Sequence, residues 1–268
     1  MARATVVFTD LDGSLLDHHN YSFAAAGEAL ALLARRSIPL VLNSSKTAAE
    51  IAKLRRQLAN PYPYIVENGA AVIFPEAGPP SLASGRWGRV KALARPRSEF
   101  LPLLQRWRRE RGFDFQGFAD MDVEGLCALT GLHQNEAELA LQRDYSEPIV
   151  WRGGEGPWRQ FEDCLRAEGL RAQRGGRFVH ISDHCDKGCA MQWLAPQLLA
   201  DCPTPRCIAL GDGGNDVPML ALADEAVVIR SPSHAPPSIP APRGRVWLSE
   251  QEGPAGWNRS LLDLLDEE

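Results

Sequence analysis

The chain has 268 residues, of which 44% are hydrophobic and 24% are charged. This composition is typical of a soluble protein with one large domain or two modest ones. The formal net charge of −5 gives no indication that nucleic acid is a partner. No apolar run reaches the ~18 residues that span a bilayer, and the first predicted strand begins at about Thr5, which leaves no room for a signal peptide. We therefore expect a cytoplasmic protein with no membrane partner.

The first notable stretch is an apolar run at residues 6–9 that ends in Asp10 and Asp12, followed by Gly13. The run predicts a buried strand, and the glycine predicts the turn that ends it. Two carboxylates held close together at a strand end repel each other unless a cation compensates them. Mg²⁺ is suited to this task because it prefers one or two carboxylates together with a phosphate. An ordinary Asp-Gly turn without any chemistry remains the simpler alternative.

Helices and strands alternate in the first part of the chain. Ser22 is a good N-cap for a helix, and Thr47 with Glu50 forms a capping box at the start of another. Asn68-Gly69 predicts a hairpin turn. The predicted elements are a helix over 23–36, a strand over 39–43, a helix from 47 to about 60, and strands over 64–67 and 71–74. Their alternation predicts a parallel sheet.

The pattern changes after a stretch rich in Pro, Gly and Ser at residues 75–88. Predicted helices then lie at 97–111, 122–130, 135–143 and 157–168, and predicted strands lie at 113–118, 148–151 and in a hairpin over 170–182. This order is typical of an α+β insert. We expect a core in two parts, residues 1–82 and 185–268, with an inserted cap domain over 83–184.

The parallel pattern resumes in the last part of the chain. A helix is predicted from Lys187 to about residue 199, followed by a strand over 206–210 that ends in Asp212. Later elements are a helix over 217–223, strands over 226–229 and 245–248, and a helix over 256–267. The predicted fold class is α/β, with a Rossmann-like parallel-sheet core and an inserted α+β domain.

Polar groups follow three of the predicted parallel strands: Asp10 and Asp12 after the first, Ser44 and Ser45 after the second, and Asp212, with Asn215 and Asp216 one turn later, after the strand at 206–210. The carboxyl ends of parallel strands lie at one edge of a sheet. Several carboxylates at one edge require a divalent cation, and Lys187 adds positive charge. Each residue alone has an ordinary explanation as a cap neighbour, a surface lysine or a turn. Together they favour phosphoryl transfer.

These motifs resemble the four motifs of the haloacid dehalogenase superfamily of phosphatases, and the insert resembles the C2B cap of its Cof-like branch. A narrower resemblance, to the mannosyl-3-phosphoglycerate phosphatases, includes stretches of the insert, where the superfamily varies. It depends on residues 17–22, 44–47, 65–71, 117–121, 130–132, 137–140, 143–148 and 175–178. Two departures from the family pattern are Ser14, which keeps the hydroxyl of the usual threonine, and Gly213-Gly214, which replaces bulkier residues.

The resemblance implies a catalytic role for each motif. Asp10 would be the nucleophile that forms an aspartyl-phosphate, and Asp12 would be the general acid and base. Mg²⁺ would be bound by Asp10, by the backbone carbonyl of Asp12 and by Asp212. Ser44 and Lys187 would hold the phosphoryl group.

The implied substrate is a small phosphorylated sugar-glycerate. A glycerate carboxylate suits an arginine clamp, for which Arg143 and Arg177 are candidates, each with a structural ion pair as the alternative. Glu67 and Asn68 could bind sugar hydroxyls, although Asn68 is also explained by a turn. Two alternatives remain within the enzyme class, namely another sugar-phosphate phosphatase (of the glucosyl-3-phosphoglycerate or sucrose-phosphate type) and a phosphomutase. A phosphoacceptor signalling domain is the alternative from a different class.

Overall fold

The computed structural model of this protein describes residues 4–76, 78, 88–175, 177–199, 202 and 204–266. The strands are β1 (Thr5–Thr9), β2 (Leu40–Leu42), β3 (Tyr64–Val66), β4 (Ala71–Ile73), β5 (Val90–Ala92), β6 (Phe115–Gly117), β7 (Glu147–Trp151), β8 (Leu170–Gly175), β9 (Phe178–Asp183), β10 (Arg206–Gly211), β11 (Glu225–Arg230) and β12 (Arg245–Glu252). The helices are α1 (Gly27–Arg35), α2 (Ala48–Gln57), α3 (Arg97–Arg111), α4 (Val123–Thr130), α5 (Gln134–Ala140), α6 (Glu155–Ala167), α7 (Lys187–Leu194), α8 (Val217–Leu222) and α9 (Gly253–Asp266).

Five parallel strands form the main sheet, in the order β12-β11-β10-β1-β2. All five residues of β1 are buried. Val7 packs in one apolar cluster, whereas Val6 and Phe8 pack in another. A strand buried on both faces is apolar throughout, which is why the sequence pattern predicted it. The sheet confirms the predicted α/β class and its parallel core.

The third predicted strand does not belong to this parallel ladder. β3 pairs antiparallel with β4, and β4 pairs with β5, so that a separate three-stranded sheet forms. A single bridge between Asn43 and Ile65 connects β3 to the end of β2. The sequence did not predict β5, because its three exposed residues carry no apolar pattern. The predicted boundary between residues 82 and 83 lies outside the described residues.

A four-stranded antiparallel sheet, in the order β6-β7-β9-β8, lies in the predicted insert. Helices α3 and α6 contribute Phe100, Trp107 and Phe161 to an apolar cluster against this sheet. Trp107 and Phe113 each meet Phe161 edge-on, at ring-centroid distances of 6.2 and 5.3 Å, a favoured aromatic geometry. The α+β character predicted for this part of the chain is confirmed.

The capping box predicted at Thr47 and Glu50 is present at the start of α2. The helix predicted over residues 23–36 is shorter than expected, because a 3-10 turn (Ala24–Ala26) precedes α1. All six cysteines are free thiols. None of the helices in the described parts of the chain is long and apolar enough to cross a bilayer.

Candidate active site

The carboxyl ends of β1, β2 and β10 lie side by side at one edge of the main sheet. The backbone N–H of Asp10 donates to the carbonyl of Leu210, at 2.9 Å, and that of Asn43 donates to the carbonyl of Thr9, at 2.8 Å. These hydrogen bonds align the carboxyl ends of the three strands. The residue after each strand therefore faces the same space, as the sequence analysis expected from parallel pairing.

A buried lysine compensates two of the carboxylates at this edge. The Nζ of Lys187 lies 2.5 Å from Asp10 Oδ1 and 2.6 Å from Asp216 Oδ1, and its side chain has no exposed surface. The N-cap Asp186, whose side chain accepts from the N–H of Cys189, begins helix α7 at Lys187. The sequence predicted Lys187 at this position but not its bond to Asp216.

Burial strongly affects the ionisation of this group of residues. Burial, together with the charge of Asp216, raises the pKa of Asp10 to about 7, although Lys187 opposes the shift. Burial and Asp10 raise the pKa of Asp212 to about 6. Burial lowers the pKa of Lys187, but the two carboxylates outweigh it and hold the pKa above its usual range. One lysine does not balance the negative charge here, so the site favours a further cation.

A divalent cation fits this group. Asp10, Asp212 and Asp216 offer carboxylate oxygens within 4.8 Å of one another. Asp216 uses its Oδ2 to accept from the N–H groups of Asp212 and Gly213, and its Oδ1 to accept from Lys187. Asp10 and Asp212 are therefore the carboxylates that could hold the ion, while Asp216 organises the loop. A Cβ at Gly13 would lie 2.6 Å from Asp212 Oδ2, so a glycine is needed for this close approach.

Two partners of the acidic residues were not predicted. His234 Nε2 lies 3.2 Å from Asp212 Oδ2. Lys46 Nζ lies 3.0 Å from Asp12 Oδ2 and 3.9 Å from Glu50 Oε1. Asp12 Oδ1 is buried without a hydrogen-bond partner among the described residues. The capping box that predicted α2 places Lys46 directly before that helix, and this signal could have identified the lysine.

Ser44 is 1% exposed, and its hydroxyl accepts from the N–H of Lys46 at 3.2 Å. Its neighbour Ser45 lines the adjacent cavity, whereas Ser44 does not. Asn68 also lines the cavity and accepts a hydrogen bond from Asn215 Nδ2 at 3.2 Å. The structure thus places Asn68 next to the acidic loop.

A cavity of about 510 Å³ lies between the acidic residues at the sheet edge and the insert. Its lining from the insert is rich in cationic and polar side chains: Arg143, Gln173, Arg174, Arg177 and His180, with the rings of Phe118 and Phe178. Two buried nitrogens in this lining, Arg143 Nε and His180 Nδ1, have no hydrogen-bond partner within the described part of the chain. Burial lowers the pKa of His180 to about 3, so its imidazole is neutral. The cavity is therefore lined by carboxylates on the side of the main sheet and by arginines on the side of the insert.

The two predicted arginines line this cavity in different ways. Arg177 is exposed, and its Nη1 donates to the carbonyls of Leu129 and Thr130 at 3.0 and 3.1 Å. Arg143 is 9% exposed and contacts the core at the carbonyl of Ser45. Both are placed where an anionic substrate group could reach them.

Glu67 is not placed where the predicted contact with sugar hydroxyls requires. It is absent from the residues that line the cavity. Both of its carboxylate oxygens already accept hydrogen bonds from residues of the insert. The side chain is 1% exposed and directs its carboxylate at the insert rather than into the cavity.

A parallel sheet with two aspartates after an interior strand, a buried lysine and an acidic loop is the arrangement of the haloacid dehalogenase-like hydrolases, and the model for that family matches residues 7–78. The chain is 35% identical to a glucosyl-3-phosphoglycerate/mannosyl-3-phosphoglycerate phosphatase from Persephonella marina, over 98% of this chain and 97% of the relative. It is 34% identical to a protein of the same name from Methanococcoides burtonii, over 97% of each chain. The chain therefore belongs to the haloacid dehalogenase superfamily, in one family with these two phosphatases.

The fold also resembles a solved structure. A phosphatase of the same superfamily from Bacteroides thetaiotaomicron superposes with a TM-score of 0.69 at 16% identity, covering 97% of this chain and 95% of that one. At this identity the likeness concerns the fold alone.

Proposed function

We propose that this chain is a Mg²⁺-dependent phosphatase that hydrolyses mannosyl-3-phosphoglycerate to mannosylglycerate and phosphate through an aspartyl-phosphate. The observation that carries the proposal is the cavity itself, which is lined by Asp10, Asp12 and Asp212 together with Arg143 and Arg177. The buried Lys187 lies outside this lining and binds Asp10. A substrate that carries a phosphate and a carboxylate on the same three-carbon glycerate matches this distribution of charge. The names of the relatives support the substrate class.

Asp10 is the proposed nucleophile. Lys187 donates to its Oδ1 and leaves Oδ2 free to attack phosphorus. Lys187 and the hydroxyl of Ser44 are proposed to hold the phosphoryl oxygens, and Ser45, which lines the cavity beside Ser44, offers a second hydroxyl there. Such contacts matter because phosphoryl transfer depends mostly on positioning and on charge stabilisation. Mg²⁺ held by Asp10, Asp212 and the backbone carbonyl of Asp12 would neutralise charge on the phosphoryl group.

Asp12 is the proposed general acid and base. Lys46 fixes its Oδ2, and the free Oδ1 can carry the proton that the leaving alkoxide needs. In the second half of the reaction the same oxygen would accept a proton from the water that attacks the aspartyl-phosphate. Lys46 would keep this carboxylate in one orientation through both steps.

The leaving group would be recognised by the insert. Arg143 and Arg177 are proposed to bind the glycerate carboxylate, and Asn68 a sugar hydroxyl. We further propose that residues 83–184 form a cap domain, with residues 1–82 and 185–268 as the core. A cap over the cavity would exclude water from the reaction.

The test is phosphate release from a panel of substrates by the Mg²⁺-loaded protein. The panel contains mannosyl-3-phosphoglycerate, glucosyl-3-phosphoglycerate, sucrose phosphate, a hexose phosphate and an aryl phosphate. We expect many turnovers per chain and the highest kcat/KM for mannosyl-3-phosphoglycerate. Release of about one phosphate per chain would instead identify a phosphoacceptor domain, and preference for a substrate without glycerate would overturn the substrate assignment.

A further inference from the structure

Glu67 lies in a tight turn that the core holds in an unfavourable conformation. Its φ is +48°, and those of Asn68 and Gly69 are +59° and +97°. The N–H groups of Glu67 and Asn68 donate to the carbonyls of Lys46 and Ser44, at 3.0 and 2.9 Å. Non-glycine residues in the left-handed region are strained, and strain of this kind concentrates at functional sites. The turn is therefore tied directly to the loop that follows β2.

The carboxylate of Glu67 accepts hydrogen bonds from residues of the insert. Oε1 accepts from the N–H of Asp144 at 2.9 Å. Oε2 accepts from the N–H groups of Tyr145 and Ser146, at 3.2 and 2.8 Å, and from the Ser146 hydroxyl at 2.6 Å. The side chain is 1% exposed, and a buried charge requires such donors. One carboxylate thus fixes three consecutive residues of the insert to the core.

Arg143 precedes these three residues and continues the same network. Its Nη1 lies 3.7 Å from Glu67 Oε2 and donates to Ser146 Oγ at 2.9 Å. Both Nη atoms also donate to the carbonyl of Ser45, at 3.3 and 3.2 Å. These contacts use three of the four N–H groups on the Nη atoms. The N–H of Nε takes part in none of them, and Nε is buried without a partner within the described ranges, so it is a donor available to a ligand. The guanidinium lies over the Phe118 ring, 5.7 Å from its centroid, which limits its movement.

We propose that Glu67 is a positioning residue, which fixes the turn at residues 143–146 to the core so that Arg143 presents Nε to the carboxylate of the leaving group. The inference rests on the proposed function for the identity of that carboxylate. Glu67 itself does not touch the substrate. Its negative charge aligns the N–H groups of the turn and holds one end of the guanidinium, so that the arginine loses little further freedom when the substrate binds.

The first test compares Glu67→Gln, Arg143→Ala and the double variant on two substrates. Glutamine is nearly isosteric but places an NH₂ group opposite an N–H donor. The substitution therefore breaks the hydrogen bonds between the side chain of residue 67 and residues 144–146, which we call the lock. For mannosyl-3-phosphoglycerate we expect KM to rise roughly 10- to 100-fold in Glu67→Gln, with kcat within about threefold. For p-nitrophenyl phosphate, which has no carboxylate, kcat/KM should stay within about threefold. The double variant should be no worse than Arg143→Ala, because Glu67 acts through Arg143.

Glu225→Gln is the matched control. The side chain of Glu225 is 12% exposed, and its Oε1 lies 3.3 Å from Arg206 Nη2. Glu225 begins β11, so it lies at the amino ends of the parallel strands, opposite the edge that carries the site. This variant should leave KM unchanged on both substrates. Ser146→Ala is a milder second variant, which removes one hydroxyl from the lock and should raise KM roughly 3- to 10-fold. Equal losses on both substrates, losses that multiply in the double variant, or a Glu67→Gln enzyme with unchanged KM would each overturn the proposal.

A second measurement separates this inference from the proposed function. Amide hydrogen exchange of residues 144–146 needs no substrate and reports the lock directly. We expect faster exchange at these amides in Glu67→Gln than in the wild type and no change in Glu225→Gln. If the wild type hydrolyses no glycerate substrate, the proposed function fails while the lock is still measured. Equal protection of these amides in the wild type and in Glu67→Gln would overturn the lock itself.

Discussion

Replacement of Lys187 by methionine is a sensitive test of the charge balance at the site. The substitution keeps the shape of the side chain and removes a cation that contacts both Asp10 and Asp216, at 2.5 and 2.6 Å. All three side chains are buried, with exposures of 0%, 8% and 0% for Lys187, Asp10 and Asp216. Removing one partner of a buried ion pair leaves an uncompensated charge and costs about 3–5 kcal/mol.

A loss of that size lowers Tm by about 6–20 °C for a chain of this length. The assay is thermal and urea unfolding in EDTA, so that no bound cation replaces the lysine. The deficit should be larger at pH 8 than at pH 5. Burial already raises the pKa of Asp10 to about 7, and without the lysine the folded state binds protons still more readily than the unfolded state. Stability then falls as pH rises.

Lys53→Met is the control, because Lys53 is an exposed lysine on α2. Its free energy of unfolding should change by less than about 0.5 kcal/mol. We also expect Lys187→Met to lose at least about 100-fold in kcat, since the lysine orients the proposed nucleophile and stabilises developing charge. A loss of stability below about 1 kcal/mol at pH 8 would refute the reasoning about a buried charge network.

Four further predictions concern the site. Asp10→Asn should abolish turnover without a change in fold, because an amide cannot attack phosphorus; retained phosphate release would contradict the assignment. EDTA should abolish phosphatase activity and Mg²⁺ should restore it. Ca²⁺ should inhibit, because its larger coordination shell misplaces the reacting oxygens. Full activity of metal-free protein would rule out the proposed cation. His180→Asn tests a neutral buried imidazole. Its pKa falls from 6.5 to about 3 on folding, so stability is lost as pH falls below 6.5. Between pH 7 and pH 5 the wild type should lose about 2 kcal/mol more than the variant, and parallel pH profiles would show that the imidazole is solvated. Arg177→Ala should lower kcat/KM about 10- to 100-fold for the glycerate substrate and little for an aryl phosphate; unchanged kinetics on both would make it a surface arginine.

Much of the site followed from short stretches of sequence. The burial of β1 on both faces makes its strand apolar throughout, and the turn after it brings Asp10 and Asp12 to the sheet edge. The same reasoning located Asp212 after β10 and Lys187 at a helix start. These predictions succeeded because each depends on an apolar run, a cap or a turn, all of which are local properties of the chain.

The same local reasoning assigned β3 to the wrong sheet. Its apolar pattern is that of a parallel strand, but tertiary packing pairs it with β4 and leaves one bridge to β2. The tight turn at residues 67–69, with three positive φ values, joins the two strands. The sequence did predict the hairpin turn at Asn68-Gly69, whereas the alternation of helices and strands predicted that β3 would continue the parallel sheet.

What the tertiary structure alone decided is how distant segments meet. Glu67 reaches the N–H of Ser146 across 79 positions of the chain, and Asp12 pairs with Lys46. The sequence marked Glu67 and Arg143 as candidates for substrate binding, yet it held no information on which donors each would meet. The local pattern determined the elements and the carboxylates at their ends, because helix caps, turns and buried strands are formed by neighbouring residues. The partners of the buried charges were decided by how the insert packs on the core. A buried charge is costly unless it is hydrogen-bonded or paired, so each one pairs with groups of whichever segment lies beside it.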